Sequence, residues 1–230
     1  MTQKISNDVS ALYKIQIYLD TLPKVIRGLL RGGFLKKHSG LVFIGNHVKL
    51  MNSQNIEVGK NVKFESYSEI QGLASSRLIF GNNVTIGRNV QIRPSSYYGV
   101  GHIGAGLEIG ENSSIGPNGF IGCAGKVSIG KQVMIGPNVT IIAENHNFQN
   151  KTVAIKEQGV IQKGITIDDD VWIGANVTIL DGVHIQSGVI IGANTLVTKN
   201  VSENTIIFNH RSRTEKNRYS EKMKGIHINA

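Results

Sequence analysis

The sequence predicts an all-β solenoid: a parallel β-helix with a short helical arm at its N-terminal end and one large loop extruded from its side. Three observations predict it. From Ile167 to Val197 an apolar residue falls on every sixth position (Ile167, Ile173, Ile179, Ile185, Ile191, Val197), with Gly, Asn or Asp between them. The same spacing returns in other phases, at Phe80, Ile86 and Ile92, at Ile103, Ile109, Ile115 and Ile121, and at Ile129, Ile135 and Ile141. A six-residue period matches neither the 3.6-residue turn of a helix nor the irregularity of loops. Three such units make one triangular coil, whose inward Ile and Val stack on the coils above and below.

The arm occupies residues 1–40. Leu12, Ile15, Leu19, Leu22, Ile26 and Leu29 recur at steps of three and four, which places them on one face of a helix. Pro23 predicts a break, and so two helices, with Thr21 as cap and Pro23 in the first turn of the second. The other face carries Lys14, Lys24, Arg27 and Arg31, followed by Lys36 and Lys37. The arm is expected to pack on the first coils and cover their open edge, which exposed strands require. Contact with an anionic membrane surface is a second use for it.

The solenoid spans residues 41–205. Its first coils, around Ile44-Gly45-Asn46-His47-Val48 and Val58-Gly59-Lys60-Asn61-Val62, fit the period raggedly, as an atypical end of a stack does. Gly and Asn are frequent because tight corners need residues that accept a positive φ. Each change of phase marks an insertion, and insertions become surface loops. The largest runs over residues 142–164. Residues 206–230 form a basic C-terminal segment.

The net charge of +9 sits at the two ends. Residues 1–40 hold seven Lys or Arg against two acids, residues 206–230 hold six against two, and the remainder holds twelve of each. Basic ends suit nucleic acid, anionic lipid or cofactor phosphates. Without an aromatic platform at basic spacing, nucleic acid is not an expected partner. The single cysteine, Cys123, excludes an internal disulfide and reads as a small buried filler in a reducing compartment. No apolar run approaches the roughly 18 residues of a membrane span, and no signal-peptide core is present. The expected location is the cytoplasm, with the inner face of the membrane as a peripheral option.

The large insertion opens with Ile141-Ile142-Ala143-Glu144-Asn145-His146-Asn147-Phe148. Of seven histidines, only His146 stands where the chain leaves the coil. Imidazole is the side chain suited to take a proton near neutral pH, so His146 is the candidate general base. Glu144 and Asn145 beside it are candidate acceptor contacts. No histidine lies within thirty residues of His146 on either side, so a three-histidine zinc site is not expected, and no metal is.

Asn145-His146-Asn147-Phe148, Lys156-Glu157-Gln158-Gly159, Val171-Trp172-Ile173-Gly174-Ala175-Asn176-Val177-Thr178-Ile179-Leu180, Ile191-Gly192-Ala193 and Val197-Thr198-Lys199-Asn200 follow one another in the order of the motifs of the hexapeptide-repeat O-acetyltransferases. The chain resembles that family, which includes the galactoside and maltose acetyltransferases and the capsule or exopolysaccharide acetyltransferases, over about residues 100–205. The resemblance implies a left-handed β-helix and a homotrimer with the acetyl-CoA cleft between neighbouring solenoids. It implies His146 as the base, and Trp172 lining the acetyl and pantetheine channel. Gly174, Ala175 and Ala193 become small positions along the pantetheine arm, with Thr198 and Lys199 near the nucleotide end, where a cation suits phosphates.

Asn118 is the candidate oxyanion donor by approximate register, although Gly116 holds the position that strict counting gives. Glu157 or Glu144 would orient the imidazole. The family's Gly-x-Pro-Ala stretch near the adenine is missing after Val201. Phe208, Arg211 and Arg213 stand as substitutes. The activity implied is acetyl-CoA-dependent O-acetyl transfer to a sugar hydroxyl of a polysaccharide, a glycolipid or their precursor. N-acetylation of an amino sugar carried on a nucleotide and a non-catalytic scaffold are the alternatives.

Overall fold

The structure, a computed structural model, describes residues 6, 8–95 and 103–209. Among these, three parallel sheets of seven, eight and seven strands form the faces of a prism, and a separate two-stranded antiparallel sheet stands outside it. The strands are two or three residues long, because each must turn a corner before the next six-residue unit begins. The coils wind left-handed.

The inward residues read from the period are the core. Ile167, Ile173 and Ile179 stand on the first, second and third faces and pair in register with Ile185, Ile191 and Val197 one coil on. All six are 2% exposed or less. Phe64 and Phe80 fill the early coils with an edge-to-face contact, their ring centroids 5.2 Å apart. Ile103 departs from the expected pattern. It lies outside the strands and is 47% exposed, since the chain here is still returning from an insertion.

Corners between the faces hold the left-handed backbone predicted from the Asn content. Asn61, Asn83 and Asn112 occupy it at one corner, and Asn89, Asn118, Asn138, Asn176 and Asn194 at the next, all with φ between 56° and 61°. The amides then ladder along the prism, as in Asn83 Nδ2 to Asn112 Oδ1 at 2.9 Å and Asn89 Nδ2 to Asn118 Oδ1 at 3.1 Å.

The third corner behaves differently. From first to second face and from second to third, inward residues stay six apart, as in Val58, Phe64 and Ile70. From third back to first the spacing stretches, from Ile70 to Phe80, Ile92 to Ile109, Ile121 to Ile129 and Ile141 to Ile167, before closing to six at Ile179 to Ile185. Every phase change in this stretch falls at that one corner, so the loops all leave from one edge of the prism.

The arm corrects two expectations. It is one helix, α1 (Ala11–Gly32), that carries Pro23 inside it, and its N-cap is Ser10, whose side chain accepts from the Tyr13 backbone N–H. A proline costs an interior helix about 3 kcal/mol, and docking offsets this. The docked side, however, is the polar one. Gly28 and Gly32 are buried, and a Cβ on Gly28 would overlap the Val42 carbonyl oxygen. This close approach lets Arg27 Nε donate to the Ile44 carbonyl at 2.7 Å and Arg31 Nη1 to the Val48 carbonyl at 2.9 Å, while Lys24 pairs with Glu65 at 2.6 Å. Carbonyls at the open end of a stack lack a strand partner, and guanidinium groups supply charge-assisted ones. The apolar stripe expected to cover the coil faces away from it.

Candidate active site

The strand Thr140–Ile142 on the third face runs into the buried Ala143, and there the chain leaves the coil. It returns as a hairpin, in which Asn145 and His146 pair antiparallel with Ile161 and Val160. The loop between is tied by its own side chains. Gln158 Nε2 donates to the carbonyls of Asn150 and Val153 at 2.9 and 2.7 Å, and its Oε1 accepts from the Asn150 N–H at 3.0 Å. Asn147 Nδ2 donates to the Gln158 carbonyl at 3.0 Å. An insertion of this length, so bonded, holds His146 on a defined support.

Between this hairpin and the third face lies a cleft of about 1130 Å³. Its hairpin wall carries Glu144, His146, Asn147, Lys156 and Gln158; its floor carries Arg93, Phe120, Gly122 and Ile142. Glu144 and His146 are two apart on an extended segment and so share a side, with Asn145 turned to the other. Among the described residues the His146 ring has no hydrogen-bond partner and is exposed, which leaves it free to meet a hydroxyl.

The expected site residues fall in three places. His146 and Glu144 share the cleft. Glu157 lies in the short 3-10 turn Ile155–Glu157, exposed, between Lys156 and Gln158 of the cleft wall but not itself among the lining residues. Trp172, Gly174, Ala175 and Ala193 gather elsewhere, on the second face and the corner that follows it. Gly174 N–H donates to the Ile191 carbonyl and Asn194 N–H to the Ala175 carbonyl, both at 2.8 Å. Trp172 fills no coil: it points outward, 51% exposed, between Met134 and Ile190 in register. Phe208 continues that corner beyond Gly192. Thr198 and Lys199 follow the strand Leu196–Val197 and lie across the third face, at the loop-bearing corner. Asn118 stands at the second-to-third corner, accepting from Asn89, and is not among the residues that line the cleft. Arg211 and Arg213 lie outside the described residues.

Arg93 on the floor and its partner Glu69 carry no sequence motif. Arg93 Nη2 meets Glu69 Oε1 at 3.1 Å, and Glu69, 9% exposed, also takes Lys49 at 3.2 Å. Arg93, Gly122 and Ile142 occupy one outward row, each the residue after an inward Ile at the corner where the phase breaks. That position was the available signal. Cys123, between two cleft-lining residues, points inward, and burial pushes its thiol up to about 12, so it stays protonated and unreactive at neutral pH. Among the described residues no three His, Cys, Asp or Glu gather as a metal-binding group.

Residues 164–199 match the family model described as bacterial transferase hexapeptide (six repeats). The galactoside O-acetyltransferase of Lactococcus lactis subsp. lactis is 29% identical over 176 residues, 76% of this chain and 83% of that protein. The Escherichia coli galactoside O-acetyltransferase is 33% identical over 123 residues, 53% of this chain and 58% of that protein. Among solved structures, that of a variant of AntD, an N-acyltransferase from Bacillus cereus in complex with dTDP-4-amino-4,6-dideoxyglucose and coenzyme A, is similar with a TM-score of 0.53 at 17% identity, over 84% of this chain and 89% of that one. At that identity the likeness speaks for the fold alone.

Proposed function

We propose that the chain is a hexapeptide-repeat acyltransferase and, within that family, an acetyl-CoA-dependent O-acetyltransferase acting on a sugar hydroxyl of a polysaccharide, a glycolipid or their precursor. The observation that carries this reading is His146, unpartnered on a braced hairpin, facing a cleft open enough for a sugar ring. His146 takes the proton of the acceptor hydroxyl as its oxygen attacks the thioester carbonyl. The tetrahedral oxyanion collapses to the acetyl ester and expels the CoA thiolate, which receives that proton from the imidazolium. Glu144, on the same side of the strand, stabilises the imidazolium. Base catalysis of this kind contributes roughly 10²–10⁴ in rate.

The co-substrate is assigned to the second face and its corner, with Trp172 and the small residues Gly174, Ala175 and Ala193 along the pantetheine arm. Trp172 then has to meet the His146 cleft of a neighbouring copy, and a homotrimer supplies that arrangement. The outward row Met134, Trp172, Ile190 and Ile206 supports it, since three of these are more than half exposed and such a row seeks cover. In that assembly Asn118, Thr198 and Lys199 keep the roles of oxyanion donor and phosphate contacts. A single buried thiol without a disulfide fits a cytoplasmic enzyme. For contact with an anionic membrane the described arm retains Lys14, Lys36 and Lys37, because Lys24, Arg27 and Arg31 are engaged with the first coils.

Acetyl transfer to a panel of mono- and oligosaccharides, with amino sugars and their nucleotide forms included, tests the reading by product mass. An alkali-labile ester on a hydroxyl is the expected product. An alkali-stable amide would move the enzyme to the N-acetylating class. Acetyl-CoA left intact with every acceptor would leave a binding scaffold.

A further inference from the structure

Leu12, Ile15, Leu19, Leu22, Ile26 and Leu29 alternate steps of three and four without exception. That is a strict 3.5-residue repeat, the spacing of a seam by which one helix meets another, and Tyr13, Ile17, Tyr18 and Leu30 add further exposed apolar surface on the same helix. In the structure the seam is bare. Its members are 48–74% exposed, and the helix docks on the solenoid by its opposite side, through Lys24, Arg27, Gly28, Arg31 and Gly32. Nothing in the described chain turns toward it.

We propose that the seam of α1 pairs with the same helix of a second copy of this chain, so that copies associate end to end through their arms. The period selects a helix as occupant. The flanks select an identical one: Gln16, Tyr18, Pro23, Val25 and Leu30, beside the seam, carry no charge, so two such helices meet without unpaired ions. A helix that lies on anionic lipid carries rows of free cations on its polar side. Three of the cations here are spent on the first coils. Area agrees as well. Six aliphatic side chains at on the order of 100 Å² each give roughly 600 Å² per copy, and Tyr18 and Leu30 bring this to the roughly 800 Å² per partner of a specific interface. The first coils supply rigid footing, since the guanidinium bonds fix the helix axis before any partner arrives.

Sedimentation velocity of the full chain, with Leu19→Glu/Leu22→Glu beside the wild type, tests the pairing. Both side chains are more than half exposed in the single chain, so the fold has no need of them. The expected result is a variant at half the wild-type mass. Equal masses overturn the proposal. So does wild-type protein that joins vesicles of anionic phospholipid while the variant, equal in mass, does not; the seam then serves lipid. Leu22→Cys gives an independent reading if the double variant fails to fold. Leu22 lies near the middle of the seam, and the native thiol is buried and stays reduced. Mild oxidation is expected to yield a covalent dimer, and its absence in dilute solution overturns the pairing.

Discussion

At the scale of single residues, the site is a contrast between one free group and several engaged ones. His146 has no partner in the described chain, whereas Arg93 is met by Glu69 and Glu69 by Lys49. A base must be free to receive a proton, and a binding cation works best when held. His146→Ala is therefore expected to lower kcat by roughly 10²–10⁴ while leaving the melting temperature and acetyl-CoA affinity unchanged, because an exposed imidazole contributes little packing. Single-turnover kinetics beside calorimetric titration check this, and a variant above about a tenth of the wild-type rate would remove His146 from the chemistry. His146 was legible in the sequence because it stands at a break in a strict period. Arg93 stands at a break of the same kind, but its neighbours in space, Glu69 and the hairpin wall, come from other coils and no spacing announces them.

At the scale of elements, period told how residues group without telling which way a group faces. For the strands the two questions have one answer, since a six-residue unit has a single inward position. For α1 they separate. The stripe was legible, but its orientation depended on carbonyls at the open end of the first coil, a need that only the assembled stack creates. That need outweighs the break read from Pro23, and it turns two glycines and two arginines inward. Gly28→Ala is expected to lift the helix from the coil, since the new methyl would overlap backbone that cannot move aside. Overpacking of this sort costs about 1–3 kcal/mol, and losing the Arg27 and Arg31 bonds adds to it. Thermal unfolding beside far-UV circular dichroism measures it; an unchanged melting temperature would mean that the arm does not brace the stack. Gly32→Ala, whose Cβ would meet only the His38 ring at 3.5 Å, serves as the mild control.

At the scale of the whole molecule, the three corners are not equivalent. Two repeat the same short turns from coil to coil, and the third takes every insertion from Ile70 onward. One residue added within Gly136-Pro137-Asn138 would shift the inward set of the following strand to its outer side, costing several kcal/mol as buried Ile is replaced by a polar neighbour. One residue added beside Lys151, at an exposed loop position, should cost well under about 1 kcal/mol, because closure entropy grows only with the logarithm of loop length. Melting temperatures of the two insertion variants, compared with the parent, test the difference, and similar losses in both would refute it. The prism can therefore change one edge while its stack stays fixed. Length added there reshapes the wall above His146 and leaves the inward ladder untouched, so a lineage built on this coil could acquire new acceptors by lengthening or shortening a single seam of its surface, at almost no cost in foldability.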